Sequence, residues 1–212
     1  MSKRIRLDDR LLHGQVMANW VNGLNIGGVL IVSDAVAKDD MRKMALNLAK
    51  PSSMKLFIKN MAEGIAALEK LNGFSYNSMI LTENAKDTLA LVEGSPVLSS
   101  ITVNIGGQRP GEGRHRVSDT LCLSDEDIDM IRKMEDLGAK VEIRKLSSEK
   151  AKTLADIVKD IKSRRNHHAS STGDPRRAAR RHWAIGFQIV RRSPYFPAHR
   201  HGLSHRTCIG RH

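Results

Sequence analysis

The chain has 212 residues, with 35 basic against 23 acidic side chains and a formal net charge of +12, but residues 163–212 alone hold 11 of the basic and one of the acidic groups. The first 162 residues are therefore nearly neutral, and the basic excess expected of a nucleic-acid binder belongs to the tail. Two cysteines and 4% aromatic residues exclude a disulfide scaffold, a cysteine zinc site and an aromatic stacking platform for single strands, and no run approaches the roughly 18–20 apolar residues of a membrane span.

In chain order, short apolar runs at Arg4–Leu7, Gly28–Val32, Met54–Ile58, Ser78–Leu81, Ile101–Ile105 and Val141–Ile143 read as strands. Helical stripes lie between them. Val16, Trp20 and Leu24 with Met17 and Val21 form the first, Met41, Met44, Ala45 and Leu48 the second, Ile65, Leu68 and Leu71 the third, and Leu89 with Val92 a shorter one. Ser124 and Asp127 predict a capping box ahead of the Ile128, Ile131, Met134 face, and Gly138 predicts the stop of that helix. A last helix is expected from about Ser148 to Lys162, with Ser147-Ser148 as its cap. Strand alternating with helix implies a three-layer α/β/α domain around a mostly parallel sheet. In such a fold the site lies among loops at the carboxyl ends of the strands.

The expected organisation is a domain at 1–162 and a tail at 163–212. The tail has no Lys but 11 Arg and seven of the nine His, and Pro175, Pro194 and Pro197 interrupt it. An arginine-rich arm for nucleic acid or anionic lipid, a vector extension and out-of-frame translation all fit that composition, and the artefact readings are favoured because scattered Trp, Phe, Tyr and Cys are unusual in a selected disordered arm.

The most informative segment is Leu7-Asp8-Asp9-Arg10-Leu11-Leu12-His13-Gly14-Gln15-Val16, which joins the first strand to the first helix. Arg10, His13 and the N–H groups of Gly14 and Gln15 fall at a helix start, where free donors and the dipole favour an anion. A neutral imidazole there can attack phosphorus. Arg10 can hold phosphoryl oxygens in a fork, and Asp8 or Asp9 can orient the other ring nitrogen. By spacing alone, a solvated loop histidine with a capping role is the favoured reading. Asp34, Thr82 and Asn104 each follow a strand and are candidates to line the cleft, though all three types also cap helices and form turns. Asn104 is the best of them because Gly106 and Gly107 permit backbone donors to approach a phosphate. His115 reads as a solvated histidine in the charged loop Gln108–Arg116, where Arg109, Arg114 and Arg116 offer guidance to an acidic partner.

The run RLDDRLLHGQV resembles the active-site signature of the IIB subunits of the mannose/fructose/sorbose family of the bacterial sugar phosphotransferase system. The resemblance continues through Val32–Asp39, Val103-Asn104-Ile105-Gly106-Gly107, Leu121–Gly138 and Val141–Arg144, and covers residues 1 to about 162. It implies that His13 accepts phosphate from a IIA domain and donates it to a sugar carried by membrane IIC and IID subunits, with Arg10 as phosphate ligand. It further implies a cytoplasmic phosphotransferase component peripherally associated with the permease, with no metal or dissociable cofactor. Gln108-Arg109 departs from the methionine common after Gly107. A nucleic-acid-binding protein using its arginine-rich tail is the alternative; a nucleotide-binding domain would want more than the single glycine between Asp8 and Gln15. Oligomeric state is left open, a homodimer included.

Overall fold

The computed structural model describes residues 2–71, 73–94 and 101–172. Met1–Arg165 form one compact unit; of the second, 166–212, only the end of a helix reaching Thr172 is described. The boundary expected at 163 falls within that helix, and most of the expected tail lies outside the described residues.

Six strands, β1 (Lys3–Asp8), β2 (Ile26–Val32), β3 (Lys55–Lys59), β4 (Asn77–Thr82), β5 (Thr102–Gly107) and β8 (Lys140–Ile143), form one parallel sheet in the order β3-β2-β4-β1-β5-β8. β6 (Arg114–Arg116) and β7 (Cys122–Ser124) make a separate antiparallel pair. The helices are α1 (Asp34–Ala37), α2 (Asp40–Ala49), α3 (Met61–Leu71), α4 (Ala85–Gly94), α5 (Asp125–Asp136) and α6 (Leu154–Thr172), and a π-helical segment, Val16–Asn22, follows β1. The α/β class and the layered parallel sheet agree with the alternation in the sequence.

Two cores lie on opposite faces of the sheet. Ile5, Leu7, Val103 and Ile105 pack with α3, α4, α5 and α6 on one face, and Val29, Ile31, Met79 and Leu81 pack with Val16, Trp20 and Val36 on the other. Side chains alternate along a strand, so Ile5 and Leu7 of β1 enter the first core while Arg4, Arg6 and Asp8 point to the second. β1 is flanked by β4 and β5, which puts the loop after Asp8 near the middle of the sheet's carboxyl edge.

The α5 signals operate as expected: Ser124 accepts from the Asp127 N–H, the Asp127 carboxylate accepts from the Ser124 N–H, and Gly138 takes φ +94° at the stop. Four expectations change. The first helix is widened into π turns, which bring Val16, Trp20 and Val21 to one buried side. The Met41, Met44, Leu48 stripe forms a helix but faces outward, at 83%, 67% and 80% exposure. The last helix starts at Leu154, not Ser148, because Thr153 and Asp156 exchange the capping bonds, while the Ser147 hydroxyl donates to the Asn19 carbonyl. The helix also continues past Lys162 to Thr172. Finally, His115 belongs to strand β6 and its Nε2 lies 3.2 Å from Asp125, a carboxylate brought near by the β6–β7 pairing.

Candidate active site

The loop after β1 is held from below. Leu11 and Leu12 are buried in the second core, and Leu11 adopts φ +55°, a left-handed conformation unusual for leucine that persists only where packing over-determines it. The Leu11 N–H donates to the Asp8 carbonyl at 2.9 Å, and the Arg10 N–H reaches the Asp8 carboxylate at 3.3 Å. His13 stands just before the helical turn, its carbonyl accepting from the Met17 N–H at 2.9 Å. Two apolar anchors and a tight turn thus fix the imidazole at the sheet edge.

Asp8 is the hub. Fully buried, its Oδ1 lies 3.3 Å from His13 Nε2 and 3.6 Å from Arg10 Nε, and its Oδ2 accepts from Arg6 Nη2 at 2.8 Å. Burial by itself would push the carboxyl upward, but the hydrogen bond with His13 and the charge and hydrogen bond of Arg6 outweigh it, so Asp8 titrates below the ordinary carboxylate range. Asp8 is thus an anion at neutral pH. Burial draws the Arg6 guanidinium down, opposed by the charge and hydrogen bond of Asp8.

Arg6 donates from Nη1 to the Asn104 side chain, whose amide donates to the carbonyls of Arg144 at 3.1 Å and Glu142 at 3.4 Å. Around the buried Trp20 ring lie the guanidiniums of Arg6, Arg144 and Arg4, at 4.8, 5.2 and 5.5 Å. Glu142 takes Arg4 at 2.9 Å and Arg144 at 3.0 Å. The indole face and the carboxylates of Glu142 and Asp8 together offset three closely spaced cations.

Several of the expected phosphate ligands act differently. A Cβ on Gly106 would lie 2.1 Å from the Arg6 guanidinium carbon, and one on Gly107 would lie 3.1 Å from the Asp8 carboxyl group. These glycines therefore make room for the buried ion pair, and Asn104 holds Arg6. Asp34 accepts from the Met61 N–H at 2.8 Å, which caps α3 instead of joining His13, and Thr82 bonds Thr88 at 2.7 Å. Asp9 accepts from the backbone N–H and Nε of Arg109 at 2.9 and 2.8 Å, so it does not orient His13. Arg114 and Arg116 are likewise engaged, by Asp127 at 3.7 Å and Asp119 at 3.1 Å. Gly14 and Gln15 do open the first helical turn, and the Gln15 side chain accepts from Arg10 at 3.4 Å. Arg6, Trp20, Glu142 and Arg144 were absent from the expected site, although charges at Arg4, Arg6 and Asp8 on an otherwise buried strand were a usable signal.

Residues 3–170 match the family described as PTS system sorbose subfamily IIB component. The fructose-specific EIIB component of Bacillus subtilis is 29% identical over 157 residues, 74% of this chain and 94% of that protein. The mannose-specific EIIAB component of Escherichia coli K12 is 31% identical over 156 residues, about half (48%) of its length. The crystal structure of the IIB domain of the Klebsiella pneumoniae sorbose permease superposes with a TM-score of 0.67 at 27% identity, covering 76% of this chain and 98% of that one. Sequence match and shared fold agree, and the chain belongs to the sorbose-subfamily IIB components of the bacterial phosphotransferase system, the phosphocarrier components of sugar uptake.

Proposed function

We propose that His13 is the transient phosphoryl acceptor and that Nδ1 is the attacking nitrogen. The observation that carries this reading is the contact of Nε2 with the buried Asp8 carboxylate at 3.3 Å. It supports a ring proton on Nε2, which leaves the Nδ1 lone pair, without a hydrogen bond among the described residues, for phosphorus. As the P–N bond of a phosphohistidine donor breaks and the bond to Nδ1 forms, positive charge grows on the His13 ring, and Asp8 stabilises it. Arg10, about two-fifths exposed, is free to turn its planar fork to the phosphoryl oxygens. Gly14 and Gln15 add N–H donors of the first turn. Arg6 keeps Asp8 ionised by balancing its charge.

In this reading the donor is a IIA domain, consistent with the E. coli relative named as an EIIAB component, and the acceptor is a sugar delivered by IIC and IID membrane subunits at the cytoplasmic side of the permease. No helix among the described residues is long and apolar enough to cross a membrane. The nearly neutral body supplies no reason for a nucleic-acid partner, and we assign the domain to residues 1–165 with a short helical extension.

Incubation with a phosphorylated IIA donor tests the assignment. One acid-labile, base-stable phosphoryl group is expected on the parent and none on His13→Ala, with the fold retained by circular dichroism. Full labelling of His13→Ala would overturn it.

A further inference from the structure

Three of the five large apolar side chains left exposed among the described residues, Met41, Met44 and Leu48, lie on α2. α2 has no buried residue, and only Leu46 packs against the second core. Met41, Met44, Ala45 and Leu48 stand at i, i+3, i+4 and i+7, one continuous face of a helix about 15 Å long. An isolated ten-residue helix is marginal in water, and an apolar stripe turned outward marks a surface that something covers.

The charges around the stripe say what kind of surface that is. Lys38, Arg42, Lys43 and Lys50 flank it against two carboxylates, Asp39 and Asp40. Asp39 accepts from the Arg42 N–H at 3.0 Å and Asp40 pairs with Lys43 at 2.6 Å, while Arg42 bonds Glu83 at 2.6 Å. Among the described residues no carboxylate pairs with Lys38, or with Lys50, whose ammonium reaches only the Pro51 carbonyl. An outward Met/Leu face bounded by lysines that no carboxylate neutralises is the pattern of a helix that lies in a lipid interface, with apolar groups among acyl chains and ammonium groups among anionic headgroups. A stripe one side chain wide and about 15 Å long falls well short of the roughly 800 Å² per partner of a stable protein interface, which argues against a second copy.

We propose that the Met41–Met44–Leu48 face of α2, flanked by Lys38 and Lys50, docks reversibly on an anionic lipid surface. The inference rests on α2 and stands apart from the role of His13. α2 and the π-helical segment that follows His13 both border the second core, so a bilayer that takes up the stripe meets the same layer of the domain from which the His13 loop is built.

The test uses the full chain carrying Cys208→Ser, in which Cys122 is buried, with an environment-sensitive NBD probe on Leu48→Cys or, as a control, on Leu137→Cys of the opposite layer. Vesicles of phosphatidylcholine with about one-third phosphatidylglycerol are expected to blue-shift the probe at 48 and expose it to quenching by spin-labelled acyl chains, leaving the probe at 137 unchanged. Met41→Ser with Met44→Ser should weaken partitioning at least about fivefold, and 0.5 M salt or pure phosphatidylcholine should weaken it also. Any attraction of the arginine-rich tail to the vesicles acts on both labelled chains alike, so the difference between positions 48 and 137 is the readout. No shift at 48, equal shifts at 48 and 137, or a shift indifferent to the two serines would overturn the proposal. So would self-association that the serines abolish without any response to lipid, or a response seen only when vesicles contain permease protein.

Discussion

His13 Nε2 and Asp8 Oδ1 are 3.3 Å apart, and the far oxygen of the same buried carboxylate accepts Arg6 at 2.8 Å. Asp8 thus stands between a fixed cation and a ring that, under the proposed function, becomes more positive as it accepts phosphate. Its ionisation serves both neighbours, and its loss would leave a buried guanidinium without its counterion.

Asp8→Asn is expected to destabilise the domain by roughly 3 kcal/mol, the range for breaking a buried ion pair from one side, and to slow phosphoryl acceptance. Because the folded-state pKa of Asp8 is depressed, its contribution to stability is fully present above the ordinary carboxylate value of about 3.9 and is lost as pH falls through the lower folded value. Urea melts of parent and variant should therefore differ most above about pH 5 and converge in strong acid. A constant difference down to about pH 2 would remove the ionised carboxylate from the explanation.

Gly106→Ala places a Cβ 2.1 Å from the Arg6 guanidinium carbon. The obstacle is a cation already bonded to Asp8 and Asn104 and stacked on Trp20, so it cannot simply swing aside. A loss of about 2 kcal/mol or more is expected, together with slower phosphate acceptance as Asp8 shifts. Gly14→Ala meets nothing within 4 Å and should keep the stability of the parent, which makes it the control in thermal melts.

Arg10→Lys keeps the charge but removes the planar fork. Since Arg10 is only loosely held by Asp8 at 3.6 Å and Gln15 at 3.4 Å, the melting temperature should scarcely move. Rapid-quench phosphoryl transfer should slow by roughly 10-fold or more. An unchanged rate would reduce Arg10 to a ligand of the loop.

Truncation after Thr172 removes most of the basic excess but spares α6 and the matched residues 3–170. Phosphate acceptance at His13 and the melting temperature are expected to stay as in the full chain, while salt-sensitive retention on heparin or DNA columns disappears. A drop of several degrees would show that the removed residues stabilise the domain.

Much of this protein is local in origin and is therefore legible in its sequence. Alternating apolar runs specify strands, Ser124, Asp127 and Gly138 delimit α5 through bonds made within a few residues, and the run from Leu7 to Val16 carries its histidine, aspartates and arginine in a single loop. Helix spacing also predicts α2, but periodicity records only that Met41, Met44 and Leu48 share a face. Whether that face turns inward depends on what packs over it, and of α2 only Leu46 reaches the second core. Asn104 and Gly106 are likewise legible as residues near the site, but that they flank Arg6 is set by the parallel pairing of β1 with β5. The three arginines around Trp20 come from β1 and from the residue after β8, at opposite ends of the domain's sequence. Only the folded sheet brings those cations together, since the energy that tolerates them, an indole face and two buried carboxylates, exists nowhere in the extended chain.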